Sequence, residues 1–299
     1  MSVPAAYLGV ILIWSTTPLA IQWSAQGASF SFAVMARMLI GLVICLLLLR
    51  VTRTAFPFTP AARRLYAISG LSMFVAMLLT YWGALHIPSG LISVIFGLSP
   101  LVTGVFAALW LSERTLTPIR IAGLGLALAG LWLIFGQPWP GDGQATLGIL
   151  AVVAGMTAQA LGLVWIKRLN VRVSALAITT GSLGVATPLF VLAWVLADAA
   201  RLPPEITPRA GFAIVYLGVL GSVVGFTLYY YVIKHLDAGR VALITLVTPV
   251  TALLLGQTLN AEFIPARGWA GIALIGAGLL LYEWQALRQL RGRPGVPGA

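Results

Sequence analysis

One cation sits well inside an apolar run: Arg37, within FSFAVMARMLIGLVICLLLL (30–49). A charge at the centre of a membrane-spanning helix costs about 2.5 kcal/mol or more, and it is usually functional or paired. No Asp or Glu lies in the interior of any apolar run. Arg37 must therefore bond helix-end carbonyls, snorkel outward or meet a ligand, and a ligand held there would suit a carboxylate. Four prolines also fall within apolar runs: Pro18, Pro100, Pro188 and Pro249. Each removes the hydrogen bond to the carbonyl four residues earlier, at Trp14, Phe96, Gly184 and Thr245 respectively. In lipid such a carbonyl needs protein, water or substrate as its partner. Thr16, Thr17, Ser93, Gln159 and Thr248 add hydroxyl and amide groups at comparable depth, able either to line a cavity or to join helix to helix. The candidate substrate-binding set is Trp14, Thr17, Arg37, Ser93, Phe96, Gln159 and Thr245, with Pro18, Pro100 and Pro249 as kinks. Pro188 reads as a packing kink.

Other chemistries lack their residues. The chain has one cysteine, Cys45, within an apolar run, and two histidines near the ends of theirs. No His/Cys/Asp/Glu cluster has metal-ligand spacing, and no Ser/His or Asp/Asp pattern lies within the apolar runs. The expectation is no metal, no cofactor and no enzymatic reaction.

The elements that must position these residues follow from composition. Of 299 residues 60% are hydrophobic and 8% charged, with mean hydropathy +1.00. A soluble domain carries about 25% charged residues, so most of this surface faces hydrocarbon. Ten runs have the length of a membrane-spanning helix: 4–22, 30–50, 64–85, 89–111, 118–136, 146–166, 174–197, 209–233, 239–260 and 266–286. The net charge of +11 comes from basic residues in the short breaks between runs, which indicates topology and not nucleic acid. With a cytoplasmic N-terminus, fourteen Lys and Arg fall on the cytoplasmic side and only Arg201, Arg209 and Arg267 outside. That bias predicts a multi-pass protein of the bacterial inner membrane with both termini cytoplasmic, its partners the lipid bilayer and a small-molecule substrate.

The chain also repeats itself. Under a shift of 149 positions Tyr81 falls on Tyr230, His86 on His235, Pro100 on Pro249 and Glu113 on Glu262; under 148, Gly123 falls on Gly271 and Gly130 on Gly278. Each copy holds five runs, an odd number, so the second enters the membrane inverted. The expected organisation is a first repeat over 1–140, an inverted second over 141–290 and a disordered cytoplasmic tail over 291–299. Inverted repeats are the architecture of secondary transporters, with the site at mid-membrane between them. Tyr81 and Tyr230, near opposite ends of their runs, could gate the two faces or simply belong to the interfacial aromatic belt. Glu113 and Glu262 read as helix-end groups beside Arg114 and Arg267. The small-residue ridges around Gly123 and Gly271 could pack within the chain or join two copies, leaving monomer and homodimer both open.

The doubled unit resembles the EamA family of the drug/metabolite transporter superfamily. The resemblance lies in Pro100 and Pro249, Glu113 and Glu262, Ala122-Gly123 and Ala270-Gly271, Trp14 with Pro18, and Arg37. It implies ten helices in two inverted five-helix repeats, alternating access and export of small metabolites such as amino acids. Small multidrug-resistance proteins, more distantly similar, carry a Glu in the first helix. The corresponding WSTTPLAIQW (14–23) has none, so exchange or facilitated diffusion is expected and not carboxylate-based proton antiport. The competing readings are a lipid-linked sugar flippase and a non-transporting membrane subunit. A flippase would want a basic headgroup site, for which Arg37 stands alone.

Overall fold

The computed structural model describes residues 2–111, 117–135, 143–236 and 238–284, and at 135, 226, 229–230, 233–234 and 238–243 it describes the backbone alone. The described residues form α1 (Val3–Gly27), α2 (Phe30–Thr52), α3 (Pro60–Gly83), α4 (Ser89–Gly97), α5 (Ser99–Trp110), α6 (Pro118–Phe135), α7 (Gln144–Leu169) and α8 (Ala175–Asp198). Then come α9 (Pro208–Tyr216), a π-helical segment (Leu217–Val224), α10 (Gly225–His235), α11 (Ala238–Asn260) and α12 (Ala266–Tyr282). Among the described residues six stretches are long and apolar enough to cross a membrane, and four shorter apolar ones complete ten. They coincide with the ten predicted runs.

The ends of the helices explain their boundaries. Ser29, Thr59, Ser174 and Thr207 are N-caps whose hydroxyls accept from the N–H three residues on, which satisfies a donor the helix itself cannot. Thr59-Pro60 and Thr207-Pro208 place a proline in the first turn, where its missing N–H costs nothing. Large apolar side chains are exposed along the helices, Leu46, Leu47, Trp132 and Phe212 among them, as a surface facing hydrocarbon requires.

Two spans differ from their sequence reading. The fourth is not one helix kinked at Pro100. It breaks at Leu98, whose N–H turns onto the carbonyls of Ile95 and Phe96, and Pro100 lies in the first turn of α5. The Phe96 carbonyl that Pro100 cannot serve is thus met inside the break. The eighth span is interrupted by the π segment, where the backbone widens by one residue per turn. Pro18, Pro188 and Pro249 do lie inside helices, as expected.

Lipid offers no hydrophobic drive to bring helices together, so close packing must do it. The tightest pair is α6 with α12. A Cβ at Gly123 would stand 2.6 Å from the Gly278 carbonyl oxygen, and one at Gly278 would stand 2.5 Å from that of Gly123. One at Gly130 would stand 2.5 Å from the Gly271 oxygen, and one at Gly271 would stand 2.7 Å from that of Gly130. Rising numbers on α6 meet falling numbers on α12, so the two helices are antiparallel. The small-residue ridges are therefore consumed within the chain. The buried core around Tyr81, Ile95, Met156, Leu183 and Phe190 joins both halves. Cys45 is buried in it as a packing residue.

Candidate functional site

Helices α4 and α11 cross antiparallel. A Cβ at Gly90 would stand 2.8 Å from Leu253 Cα. One at Gly97 would stand 3.3 Å from Pro249 Cγ and 3.9 Å from the Thr245 carbonyl oxygen. The break in the fourth span therefore faces the kink in the ninth, which brings Phe96, Pro100, Thr245 and Pro249 to one crossing. Ser93 is buried on α4 and Thr248 on α11. Helix α1 joins them through a hydrogen bond between the hydroxyls of Ser15 and Thr251. Thr251 also donates to the Thr248 carbonyl at 3.0 Å, beside the proline kink.

On α1, Thr17 turns its hydroxyl back onto the Ile13 carbonyl at 2.7 Å. Thr16 bonds the Leu12 carbonyl at 2.8 Å and the Tyr216 hydroxyl across to α9. The half-buried Trp14 lies against α10: its Nε1 is 3.6 Å from where a Cβ at Gly225 would stand.

Arg37 is 5% exposed on α2. Its Nε donates to Ser222 Oγ at 3.3 Å, and the Ser222 hydroxyl donates in turn to the Leu217 carbonyl five residues back, within the π segment. Nη2 lies 3.4 Å from where a Cβ at Gly221 would stand, while Nη1 is buried without a hydrogen-bond partner. Arg37 thus neither snorkels to water nor reaches a helix end.

The end of the bundle carrying His86 is tied together by a polar network. Asn260 bonds Gln22 Oε1 at 2.9 Å and Glu262 Oε1 at 3.0 Å through Nδ2, and accepts from Trp23 Nε1 at 3.0 Å. Gln22 donates to the Ile87 carbonyl at 3.1 Å. Glu262 Oε2 accepts the Gly90 N–H at 3.3 Å, a carboxylate on the positive end of α4. The Arg209 guanidinium lies over the Trp23 ring at 3.9 Å and donates to the Leu259 carbonyl at 3.0 Å. Glu262 is thus a helix-end group, as expected, but the end it serves belongs to another helix. Glu113 lies outside the described residues.

The remaining candidates separate from these groups. Gln159 is exposed on α7. Tyr81 is fully buried in the core, its hydroxyl without a partner, and so is not part of an interfacial belt. The side chain of Tyr230 lies outside the described residues. Trp82 packs on His86 at 4.7 Å and Tyr231 on His235 at 4.1 Å between ring centres, the same pairing in both copies of the repeat. An open cleft of about 410 Å³ beside the α1–α2 turn is lined by Gln26–Ser29, Asp198 and Arg201–Glu205. It holds none of the candidates. Its Asp198 accepts from the Ser29 and Ser31 hydroxyls.

Sequence reasoning missed Ser222, Gln22, Trp23 and Asn260. The glycines of LGVLGSVVG (217–225) were an available signal, since they mark a helix that a neighbour approaches closely. Asn260 and Gln22 carried none, because a polar residue near a helix end has many uses.

Comparison with known proteins agrees with this architecture. A profile of the EamA-like transporter family matches residues 3–136 and 146–284. A probable terminal-alkyne amino-acid exporter of Streptantibioticus cattleyicolor is 29% identical over 78% of this chain and 77% of its own. An uncharacterized transporter of Bacillus subtilis is 24% identical over 96% of this chain and 93% of its own. An uncharacterized inner membrane transporter of Escherichia coli is 25% identical over 64% of this chain and 60% of its own. A solved crystal structure superposes with a TM-score of 0.65 at 22% identity, covering 97% of this chain and 99% of that one, and so has the same fold.

Proposed function

Because the chain belongs to the EamA-like transporter family, we propose that it moves small amphiphilic metabolites, amino acids or their close relatives, out across the inner membrane by alternating access. The observation that carries this reading is the α6–α12 contact. The repeat shift of 148 turns the Gly123–Gly278 approach into the Gly130–Gly271 approach. Contacts that exchange when the two copies are swapped are what a two-fold axis between inverted halves produces. That supports two five-helix repeats, 1–140 and 141–290, entering the membrane in opposite senses. The facing break and kink of α4 and α11 are equivalent positions of those repeats and mark the hinge between them. The substrate class is supported by the likeness to a probable amino-acid exporter. The packing of the α6 and α12 ridges on each other supports one chain as the working unit.

The test is efflux from proteoliposomes loaded with a panel of radiolabelled aromatic and aliphatic amino acids. Saturable efflux of at least one is expected. Efflux no faster than from empty-membrane controls across the panel would remove the substrate class.

A further inference from the structure

Arg37 is the feature that helix packing does not explain. A Cβ at Gly70 would stand 2.7 Å from the Ser182 carbonyl oxygen, and one at Gly218 would stand 3.3 Å from that of Arg37. Gly218 is Gly70 moved by the repeat shift of 148, so Ser182 occupies in one half the place of Arg37 in the other. Ser182 is satisfied there, its hydroxyl bonded to Ser69 Oγ and to the Ile178 carbonyl, each at 2.7 Å. A small hydroxyl is therefore enough to hold this helix crossing. The other half instead places a guanidinium, with five N–H donors and a fixed charge, in a protein interior where, among the described residues, no carboxylate pairs with it. One neutral hydroxyl at 3.3 Å is its hydrogen-bond partner.

An uncompensated buried cation is expensive. It persists where something else supplies the negative charge. We propose that Arg37 is the docking point for the carboxylate of the transported molecule. This rests on the transporter reading above and names the chemistry its substrate must carry. A planar guanidinium matches a carboxylate through two parallel hydrogen bonds. Among the described residues Arg37 is the one Lys or Arg lying more than a turn or so inside a helix of the bundle, so a single negative charge fits and a dianionic phosphate does not. The apolar part of the ligand has its place too. Gly221, beside Arg37 Nη2, and Gly225, beside Trp14 Nε1, are one turn apart on the eighth span. The guanidinium and the indole thus flank the same face of that span, and the two glycines bare its backbone between them. In this conformation Nη1 is covered, so the carboxylate selects the state in which the π segment has moved away from α2.

The experiment uses the purified full-length protein in detergent and follows its thermal unfolding. The probes are L-phenylalanine, 3-phenylpropionate, the neutral 3-phenylpropanamide and inorganic phosphate. The expected result is a rise in melting temperature with both carboxylates and none with the amide or phosphate. Arg37→Gln should weaken the apparent carboxylate affinity at least about tenfold. Should Arg37→Gln fail to fold, Arg37→Lys, which keeps the charge and loses the planar fork, is read for a smaller weakening in the same direction. The proposal is overturned if the amide acts as the acid does, if no carboxylate shifts the wild type, or if the folded variants keep the full response. A merely structural arginine would lower the melting temperature without changing the preference for acid over amide. If no amino acid is transported while the carboxylate response and its loss in Arg37→Gln persist, the amino-acid reading fails and the role of Arg37 stands.

Discussion

Tyr81 shows what burial without a partner implies for a single residue. Its ring fills the core and its hydroxyl bonds nothing, so the oxygen has lost water and gained no replacement. Removing an unpaired buried hydroxyl recovers about 1 kcal/mol or more. Tyr81→Phe should therefore hold or raise the melting temperature, and a clear fall would mean that a hydrogen-bond partner reaches Tyr81 in another state. Thr17 is the opposite case. Its hydroxyl is spent on the Ile13 carbonyl of its own helix, so Thr17→Val should change stability by less than about 1 kcal/mol, read by thermal unfolding. Both residues stood out in the sequence for their type and depth. Their partners, or lack of them, were not legible there, because a hydroxyl one turn from a carbonyl satisfies itself and leaves no trace in spacing.

Among the elements, two contacts can be separated by mutation. The α6–α12 contact brings backbone against backbone, and no side chain can swing aside to make room. Gly130→Val would place Cβ 2.5 Å from the Gly271 oxygen and 3.0 Å from the Ile275 N. Overpacking of this kind costs about 1–3 kcal/mol, so the melting temperature should fall clearly. The network at the His86 end is different, since it joins α1, α4 and α11 through side chains that can part. Asn260→Ala removes its three hydrogen bonds, to Gln22, Trp23 and Glu262. At about 1 kcal/mol net for each of one or two of these bonds, the proposed alternating access should expose this end several-fold more often. Ser89 is fully buried beside Gly256, so Ser89→Cys in a Cys45→Ala background reports on this opening. A membrane-impermeant thiol reagent should label it faster once Asn260 is gone, and an unchanged rate would show that the network does not hold this end shut. Ten runs and the prolines within them were readable because length, polarity and proline position are local properties. The break at Leu98 and the π segment were not. Leu98 is an ordinary apolar residue in an apolar run, and no residue type in LGVLGSVV (217–224) marks a π turn apart from an α turn.

For the whole molecule, the doubled sequence was the most informative feature. Gly123 and Gly271 looked alike as ridges, and only their placement opposite Gly278 and Gly130 turned a repeat into an antiparallel contact. The Arg37–Ser182 comparison adds where the halves are not equivalent: the frame is doubled and the charge is single. A carrier with one fixed cation and no acidic residue in the interior of its apolar runs should exchange substrate across the membrane without a proton gradient. Solute counterflow measures that directly. Proteoliposomes are preloaded with an unlabelled amino acid identified by the efflux panel and diluted into a trace of the labelled form, with equal pH and no ion gradient. Transient accumulation of label above the external concentration is the expected result. Accumulation that occurs only when a pH gradient is imposed, or none at all for a substrate that the protein does release, would contradict it.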